Sequence, residues 1–410
     1  MERFTGLIGF VMILGIAFLF SNNRKAINYR LVFSGIGLQI LIAVLILKVE
    51  PVTRFFQLLG KGMQKIEQFA KQGADFAYGG IATVSGSGDI ANYSTPHMFV
   101  FAFNITATII LVCVLVAIFY HIGIMQRLVS VIAKAMNWVM RVSGAEALSN
   151  VASAFVGQVE AQVMIRPYLH GMTKSELLAS MSGSLACIAG GILVVYASMG
   201  ARAEYLIAAS LMAAPGALVI AKIVYPETEE SQTMGKVKLE VKSHYTNVID
   251  AIGHGSADGW KISMNVIAML IGFIALIAFI NWILGHIWAP LSLDYIFGKL
   301  FLPFAWAMGV PSQDLSSAAT LFGQKLTINE FIAFKNMTSQ TVPVLTEKGT
   351  LIVSIAICGF ANFSSVGMQI GGIGALAPER RGDLARLGMK ALLCGTLASY
   401  LSATIAGILG

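Results

Sequence analysis

Two short polar segments in an otherwise greasy chain hold the residues best suited to bind a solute. Residues 155–160 read Phe-Val-Gly-Gln-Val-Glu, and residues 321–330 read Leu-Phe-Gly-Gln-Lys-Leu-Thr-Ile-Asn-Glu. Each carries Gly-Gln followed by a glutamate. Beyond a hydrophilic joint, each is followed by an apolar segment broken by small and polar residues, at 182–191 and at 358–367. Gln158, Asn362 and Ser365 offer both donors and acceptors. Glu160 and Glu330 are strong acceptors suited to hydroxyl groups such as those of a sugar, and Phe360 can pack against a ring. Amides for a base and carboxylates for a ribose make an inventory that suits a nucleoside. The structural alternatives are ion pairs of Glu160 and Glu330 with Arg166 or Lys325, and helix-to-helix hydrogen bonds from Asn362, Ser364 and Ser365.

These residues need elements that carry charge to membrane depth. Residues 142–168 are too few to cross a bilayer twice as full helices, yet hold Glu146, Glu160 and Arg166; residues 311–334 hold Asp314, Lys325 and Glu330. Charges and irregular backbone at that depth are tolerated where they are buried in protein or line a watery cavity. Two half-helices forming a re-entrant hairpin satisfy that condition, and the free N–H and C=O groups at its tip can bind a polar solute or a small cation. Paired motifs at corresponding places in two halves point to a transporter with its site at the repeat interface.

The composition agrees. The 410 residues are 56% hydrophobic and 12% charged, with mean hydropathy +0.75, against roughly 25% charged for a soluble domain. Eight long stretches lack charge: 4–23, 31–47, 95–126, 177–201, 205–221, 262–293, 349–378 and 391–410. A spanning helix takes ~17–25 residues, so eight crossings are expected in an all-α polytopic membrane protein. Arg24, Lys25 and Arg30 follow the first stretch, and later basic groups (Arg127, Lys134, Arg141; Lys222, Lys236, Lys238, Lys242; Arg380, Arg381, Arg386) fall on the same side by alternation. The positive-inside rule then puts both termini outside, with basic residues 48–71 as an exception. The N-terminus does not read as a signal peptide, and no targeting sequence or long regulatory tail is read, which suits a bacterial inner (cell) membrane.

Residues 54–71 and 127–141 carry apolar and basic residues at helical spacing and read as amphipathic helices lying in the interface. Residues 74–92, rich in Gly and Ser, read as an irregular external connection, and 227–247 as a cytoplasmic one. A net charge of +7 is spread over membrane-flanking loops, unlike the clustered patch of a nucleic-acid binder. Cys113, Cys187, Cys358 and Cys394 sit in apolar runs with no zinc spacing. No HExxH pair or GxSxG elbow occurs, so no enzyme and no cofactor is expected. Residues 1–141 read as a scaffold, 142–225 as the first half of a site-bearing part, 226–299 as a connection and scaffold crossing, and 300–410 as the second half.

The chain resembles the concentrative nucleoside transporters. The likeness is sharpest at Gly157-Gln-Val-Glu-Ala161, Ile165-Arg-Pro-Tyr168, Ala305-Trp-Ala-Met-Gly-Val-Pro311, Gly323-Gln-Lys-Leu326, Asn329-Glu-Phe331 and Gly359-Phe-Ala-Asn-Phe-Ser-Ser365. The resemblance implies a homotrimer of protomers with eight crossings, three interfacial helices and two opposed re-entrant hairpins, in which a transport domain moves like an elevator against a trimeric scaffold. It implies that Gln158 and Val159 meet the base, that Glu160 meets the base or nearby water, and that Ile192 packs on the base. Glu330, Asn362 and Ser365 would hold the ribose, and Phe360 would line the pocket. The family's sodium site maps to Ser153, Val156, Cys187 and Ile188, the second and fourth through backbone carbonyls. Ser153 and Cys187 stand where the sodium-coupled pattern has Asn and Ser, and a sulfur is a poor ligand for a hard cation. The implied activity is symport of uridine- or adenosine-class nucleosides with Na+, or with H+ given Ser153 and Cys187. An uncoupled facilitator on the same fold is the alternative, and an intramembrane transferase would need a nucleophile or metal set that the sequence lacks.

Overall fold

The computed structural model describes residues 2–78, 101–233, 245–339 and 341–410, and among them every regular element is helical. In chain order the α-helices are α1 (Glu2–Leu19), α2 (Tyr29–Lys48), α3 (Glu50–Tyr78), α4 (Phe101–Ile122), α5 (Ile124–Met140), α6 (Gly144–Ser153), α7 (Glu160–Met164), α8 (Lys174–Ala186), α9 (Gly190–Ser198), α10 (Ala203–Val224), α11 (Val248–Ile287), α12 (Leu293–Ala307), α13 (Leu315–Thr327), α14 (Glu330–Thr338), α15 (Glu347–Ile357), α16 (Phe363–Leu376) and α17 (Arg381–Leu409). Part of the expected connection at 74–92, the first residues of the 95–126 stretch, and Lys236, Lys238 and Lys242 lie outside the described residues.

Four described spans are long and apolar enough to cross a bilayer: Tyr29–Lys48, Lys174–Ser198, Ala203–Val224 and Pro378–Leu409. A fifth candidate is the pair Thr106–Ile122 and Ile124–Met140, bent by 76°. The bend falls at Gly123, whose φ of +83° lies in the left-handed region that favours glycine. It separates the third apolar stretch from the amphipathic helix expected at 127–141. Three further expected crossings contain the shorter apolar helices Thr5–Leu19, Ile274–Ile287 and Phe363–Leu376. The amphipathic segment expected at 54–71 belongs to a longer helix, the 29-residue α3.

Two packing units position the site. In one, α11 lies along α4. A Cβ at Gly255 would stand 2.8 Å from the Val114 Cα, and one at Gly259 would stand 2.6 Å from the Ile110 Cα. The Gly-x-x-x-Gly spacing thus lets the two backbones approach, as small residues do between membrane helices. In the other, α10 is buried along nearly its whole length and packs against α2, α8 and α17. Gln39 of α2 is fully buried and donates to the Met212 carbonyl (3.1 Å) and to Ser402 Oγ (3.0 Å), tying α2, α10 and α17 together. A buried amide is retained because it is hydrogen-bonded.

The polar run after α10 is more than a connection. Its first part folds back on the starts of α6 and α8. Lys222, nearly fully buried, pairs with Glu146 (2.8 Å) and Glu227 (3.2 Å) and donates to Ser175 Oγ (3.0 Å). Ser231 and Thr233 both donate to Glu176. Glu146 and Glu176 are themselves the acidic members of capping boxes with Ser143 and Thr173. One cluster therefore fixes the starts of two helices that lead to the site.

Candidate functional site

The two halves repeat a local plan. α6 and α7, and α13 and α14, are short helices joined by non-helical tips, the paired half-helices expected from the sequence. Each pair is followed by a span broken in the middle. α8 stops at Cys187, which is extended (φ −90°, ψ 165°), and α9 resumes at Gly190. α15 stops at Cys358, and α16 resumes after Asn362. The two broken spans start from equivalent caps, Thr173 on α8 and Thr346 on α15. A break in a buried helix leaves backbone groups without helical partners, and here the breaks serve each other. The Phe360 N–H donates to the Cys187 carbonyl at 3.2 Å. Gly359 has φ +144°, and a Cβ there would stand 2.5 Å from the Ala186 carbonyl oxygen. Gly359→Ala should therefore cost at least the ~1–3 kcal/mol of a strained backbone position, lowering the melting temperature in detergent; an unchanged melting temperature would show that the breaks are not so closely apposed.

Glu330 begins α14, whose first turn is capped by Asn329 Oδ1 accepting from the Ile332 N–H (3.0 Å). Its buried carboxylate has two side-chain donors: Tyr196 Oη–H to Oε1 at 2.9 Å and Asn362 Nδ2–H to Oε2 at 3.0 Å. Asn362 also caps α16, its Oδ1 accepting from the Ser365 N–H at 2.8 Å. Glu330 of one motif, Asn362 and Ser365 of the next break, and Tyr196 of the other half thus converge. Tyr196 is held by ring contacts to Phe334 (centroids 4.6 Å apart) and Phe331 (5.9 Å). The sequence reading missed it, because an aromatic residue in the apolar run 193–196 is ordinary core; its buried hydroxyl, which needs a partner, was the available signal. Tyr196→Phe should weaken affinity for a hydroxyl-bearing solute at Glu330 about fivefold, the ~1 kcal/mol of one buried hydrogen bond. Equal affinity in the two proteins, by equilibrium binding, would remove Tyr196 from the site.

Around the other tip, Gly157 takes φ +126°, and a Cβ there would stand 2.5 Å from Glu160 Oε2. Gly157 lets the Glu160 side chain lie over the tip. Gln158 is buried and accepts from Gln369 Nε2–H at 3.5 Å; Gln369 also donates to the Met181 carbonyl (3.2 Å). Val159 packs on α16, where a Cβ at Gly372 would stand 2.7 Å from Val159 Cγ1. The tip residues Gln158 and Val159 therefore rest on the helix that carries Asn362 and Ser365 at its start. Ile192 on α9 and Phe360 at the break are half-buried. Among the described residues the alternative ion pairs do not form: Glu330 has no salt bridge with Lys325, nor Glu160 with Arg166. Lys325 is fully buried with no hydrogen bond among the described residues, its Nζ 5.9 Å from the Tyr400 ring centroid.

Behind the first tip lies a cage of hydroxyls, of which only Ser153 was singled out from the sequence as a candidate ligand. Ser153 Oγ donates to the Ser149 carbonyl (2.8 Å) and meets Ser184 Oγ (2.8 Å). Gln162 Nε2–H donates to Ser149 Oγ (3.0 Å) and Ser184 Oγ (2.9 Å), and Ser180 Oγ–H donates to Gln162 Oε1 (2.7 Å). The Cys187 thiol turns instead toward the carbonyls of Asn150 and Ser210, 3.9 Å from each. Among the described residues, neither the Val156 nor the Ile188 carbonyl accepts a backbone hydrogen bond.

The chain is similar to known proteins along nearly its whole length. Residues 8–81 match the N-terminal family model of the Na+ dependent nucleoside transporter, 102–203 a gate model described as nucleoside recognition, and 205–407 the C-terminal model of the same transporter. An uncharacterized transporter of Haemophilus influenzae is 40% identical over 100% of this chain and 98% of its own length. The nucleoside permease NupC of Helicobacter pylori is 37% identical over 98% of this chain and 96% of its own. The structure of CNTnw in an inward-facing substrate-bound state has a TM-score of 0.91 to this chain at 40% identity, covering 99% and 98% of the two chains. The chain belongs to the family described as Na+ dependent nucleoside transporters and is a membrane transporter, not an enzyme.

Proposed function

We propose that the chain is a secondary active symporter that imports nucleosides across the cell membrane, driven by an inward Na+ gradient. The observation that carries the reading is the buried Glu330 carboxylate, held by donors from both halves. An ionised carboxylate has about four acceptor sites. Tyr196 and Asn362 occupy two, which leaves acceptor capacity for the adjacent hydroxyls of a ribose. Ser365, one turn from Asn362, completes that end. The base lies toward Gln158, Val159 and Ile192, with Phe360 lining the pocket and Glu160 meeting the base or its water.

For the cation, Ser153 with the carbonyls of Val156 and Ile188 supplies hard oxygen ligands. Ser184, whose hydroxyl meets Ser153, supplies the oxygen that Cys187 lacks. Ser153→Ala should raise the Na+ concentration for half-maximal uptake several-fold, with nucleoside affinity at saturating Na+ little changed. A Na+ dependence identical to that of the unaltered protein would remove Ser153 from the cation path. Full accumulation under a proton gradient alone would transfer the coupling to H+.

The transport domain in this reading comprises residues 142–225 and 300–410, in two re-entrant hairpins and four of eight crossings, moving like an elevator with both chain ends outside. Residues 1–141 and 226–299 form the scaffold, built on the close α4–α11 packing. Exposed apolar residues on α11, among them Ile271, Trp282 and Ile287, fit a surface that meets lipid or other copies in a homotrimer. Uptake of labelled uridine and adenosine into proteoliposomes, with and without imposed gradients, tests the reading. Equilibration without accumulation under every gradient would leave a facilitator.

A further inference from the structure

An apolar cavity of about 270 Å³ lies between α2, α5, α10 and the first tip. Leu38 and Ile42 of α2 and Ile132 and Val139 of α5 form one wall; Phe155 at the first tip and Leu211 of α10 form the other. Its lining is almost wholly hydrocarbon. An engineered apolar cavity of ~150 Å³ stays dry and takes up benzene, so a larger one of this kind calls for an apolar occupant rather than water.

The α5 helix says what the occupant is. At 3.6 residues per turn, its circumference reads in order. Val129, Ala133 and Met136 are buried in the core. Next comes the cavity-lining face with Ile132 and Val139. Beyond it, Ala135, Leu128, Val131 and Trp138 are exposed, Trp138 by 82%. Last come Arg127 and Lys134, exposed and seven residues apart, with Arg141 exposed at the C-cap just past the end of the helix. The cavity is therefore continuous, around one helix, with a bare apolar face bordered by three positive charges. α2 extends the bare surface through Phe33, Ile40 and Leu41. Apolar surface beside a basic stripe on a surface-lying helix is the chemistry that holds an anionic lipid.

We infer that this cavity is a binding site for one acyl chain of an anionic phospholipid, whose headgroup is held by the Lys134 and Arg141 side of α5. The chain inserts past Ala135 and ends against Phe155. The backbone carbonyl of Phe155 accepts from the Gly190 N–H at 3.2 Å, and Gln158 follows three residues later. The lipid would thus contact the first tip from outside, without entering the nucleoside pocket.

The test uses the full-length protein in phosphatidylcholine nanodiscs carrying a trace of phosphatidylglycerol with a photoactivatable acyl chain. Adducts are mapped by mass spectrometry. Labelling should concentrate on Ile132, Val139 and Leu211. Ala135→Trp, which fills the mouth from the exposed side, should lower it at least fivefold while adducts on Phe33 persist. Leu211→Phe, which fills from the inner wall, gives a second reading if the first variant does not fold. Lys134→Gln with Arg141→Gln should bring labelling down to the level of a matching phosphatidylcholine probe. Equal labelling of the unaltered protein by the two probes overturns the anionic site. So do adducts confined to the outer faces.

Discussion

Glu330→Gln should lower uridine affinity, and with it uptake at low substrate, by roughly 10- to 100-fold, the ~1.5–3 kcal/mol carried by a hydrogen bond to a charged group. The size of the change follows from the donors around it. Tyr196 and Asn362 both donate to the carboxylate. A glutamine keeps the shape but offers one oxygen and one NH2, so its NH2 must face one of these donors or the substrate hydroxyl. The fold should hold, because the Asn329 and Asn362 caps that set the two helix starts are untouched. Uptake kinetics in proteoliposomes, with elution volume and melting temperature as controls, measure the effect. Normal kinetics in a well-folded variant would exclude Glu330 from the ribose site.

A larger loss is expected from Asn362→Asp. The native side chain does two jobs: its oxygen caps α16, and its NH2 donates to Glu330. Aspartate caps a helix about as well as asparagine, so the start of α16 is preserved. It also places a second carboxylate where the donor stood, 3.0 Å from Glu330 Oε2. Two like charges at such range repel by about 4 kcal/mol at 4 Å and an effective dielectric constant of 20, unless one binds a proton. Uptake should fall more than ~100-fold at neutral pH. Asn362→Ala loses the donor and the cap together, the cap alone worth ~1 kcal/mol, and should melt lower. Uptake by the aspartate variant within a few-fold of normal would show that the Asn362–Glu330 contact is incidental to transport.

The carboxylates and amides of the candidate site stood out in the sequence for one reason. Glu160, Glu330 and Asn362 stand in regions where unsatisfied polar groups are expensive, so their presence announces partners. The helix breaks were legible from Gly and small residues inside long apolar runs, and the structure places both where expected. Other features depend on partners far away in the chain. Tyr196 becomes a candidate site residue only because Glu330, 134 positions later, meets its hydroxyl. Ser184 reads as a packing residue until Ser153, 31 positions earlier, is seen beside it. Gln369 gains meaning from Gln158 in the opposite half. The polar run after α10 looked like a plain connection because its composition is that of a loop; Glu227, Ser231 and Thr233 instead satisfy buried groups on α8 and α10. The bend at Gly123 was not read from the sequence, where the apolar stretch runs on to residue 126; the change to an amphipathic pattern at 127 marks a second helix without giving its angle to the first.

The measurement that bears most directly on the account is labelled uridine uptake into proteoliposomes under an inward Na+ gradient, an inward proton gradient, or none. The account predicts accumulation above the external concentration with the Na+ gradient and simple equilibration without it. Equilibration to the same level under all three conditions would contradict cation-coupled import.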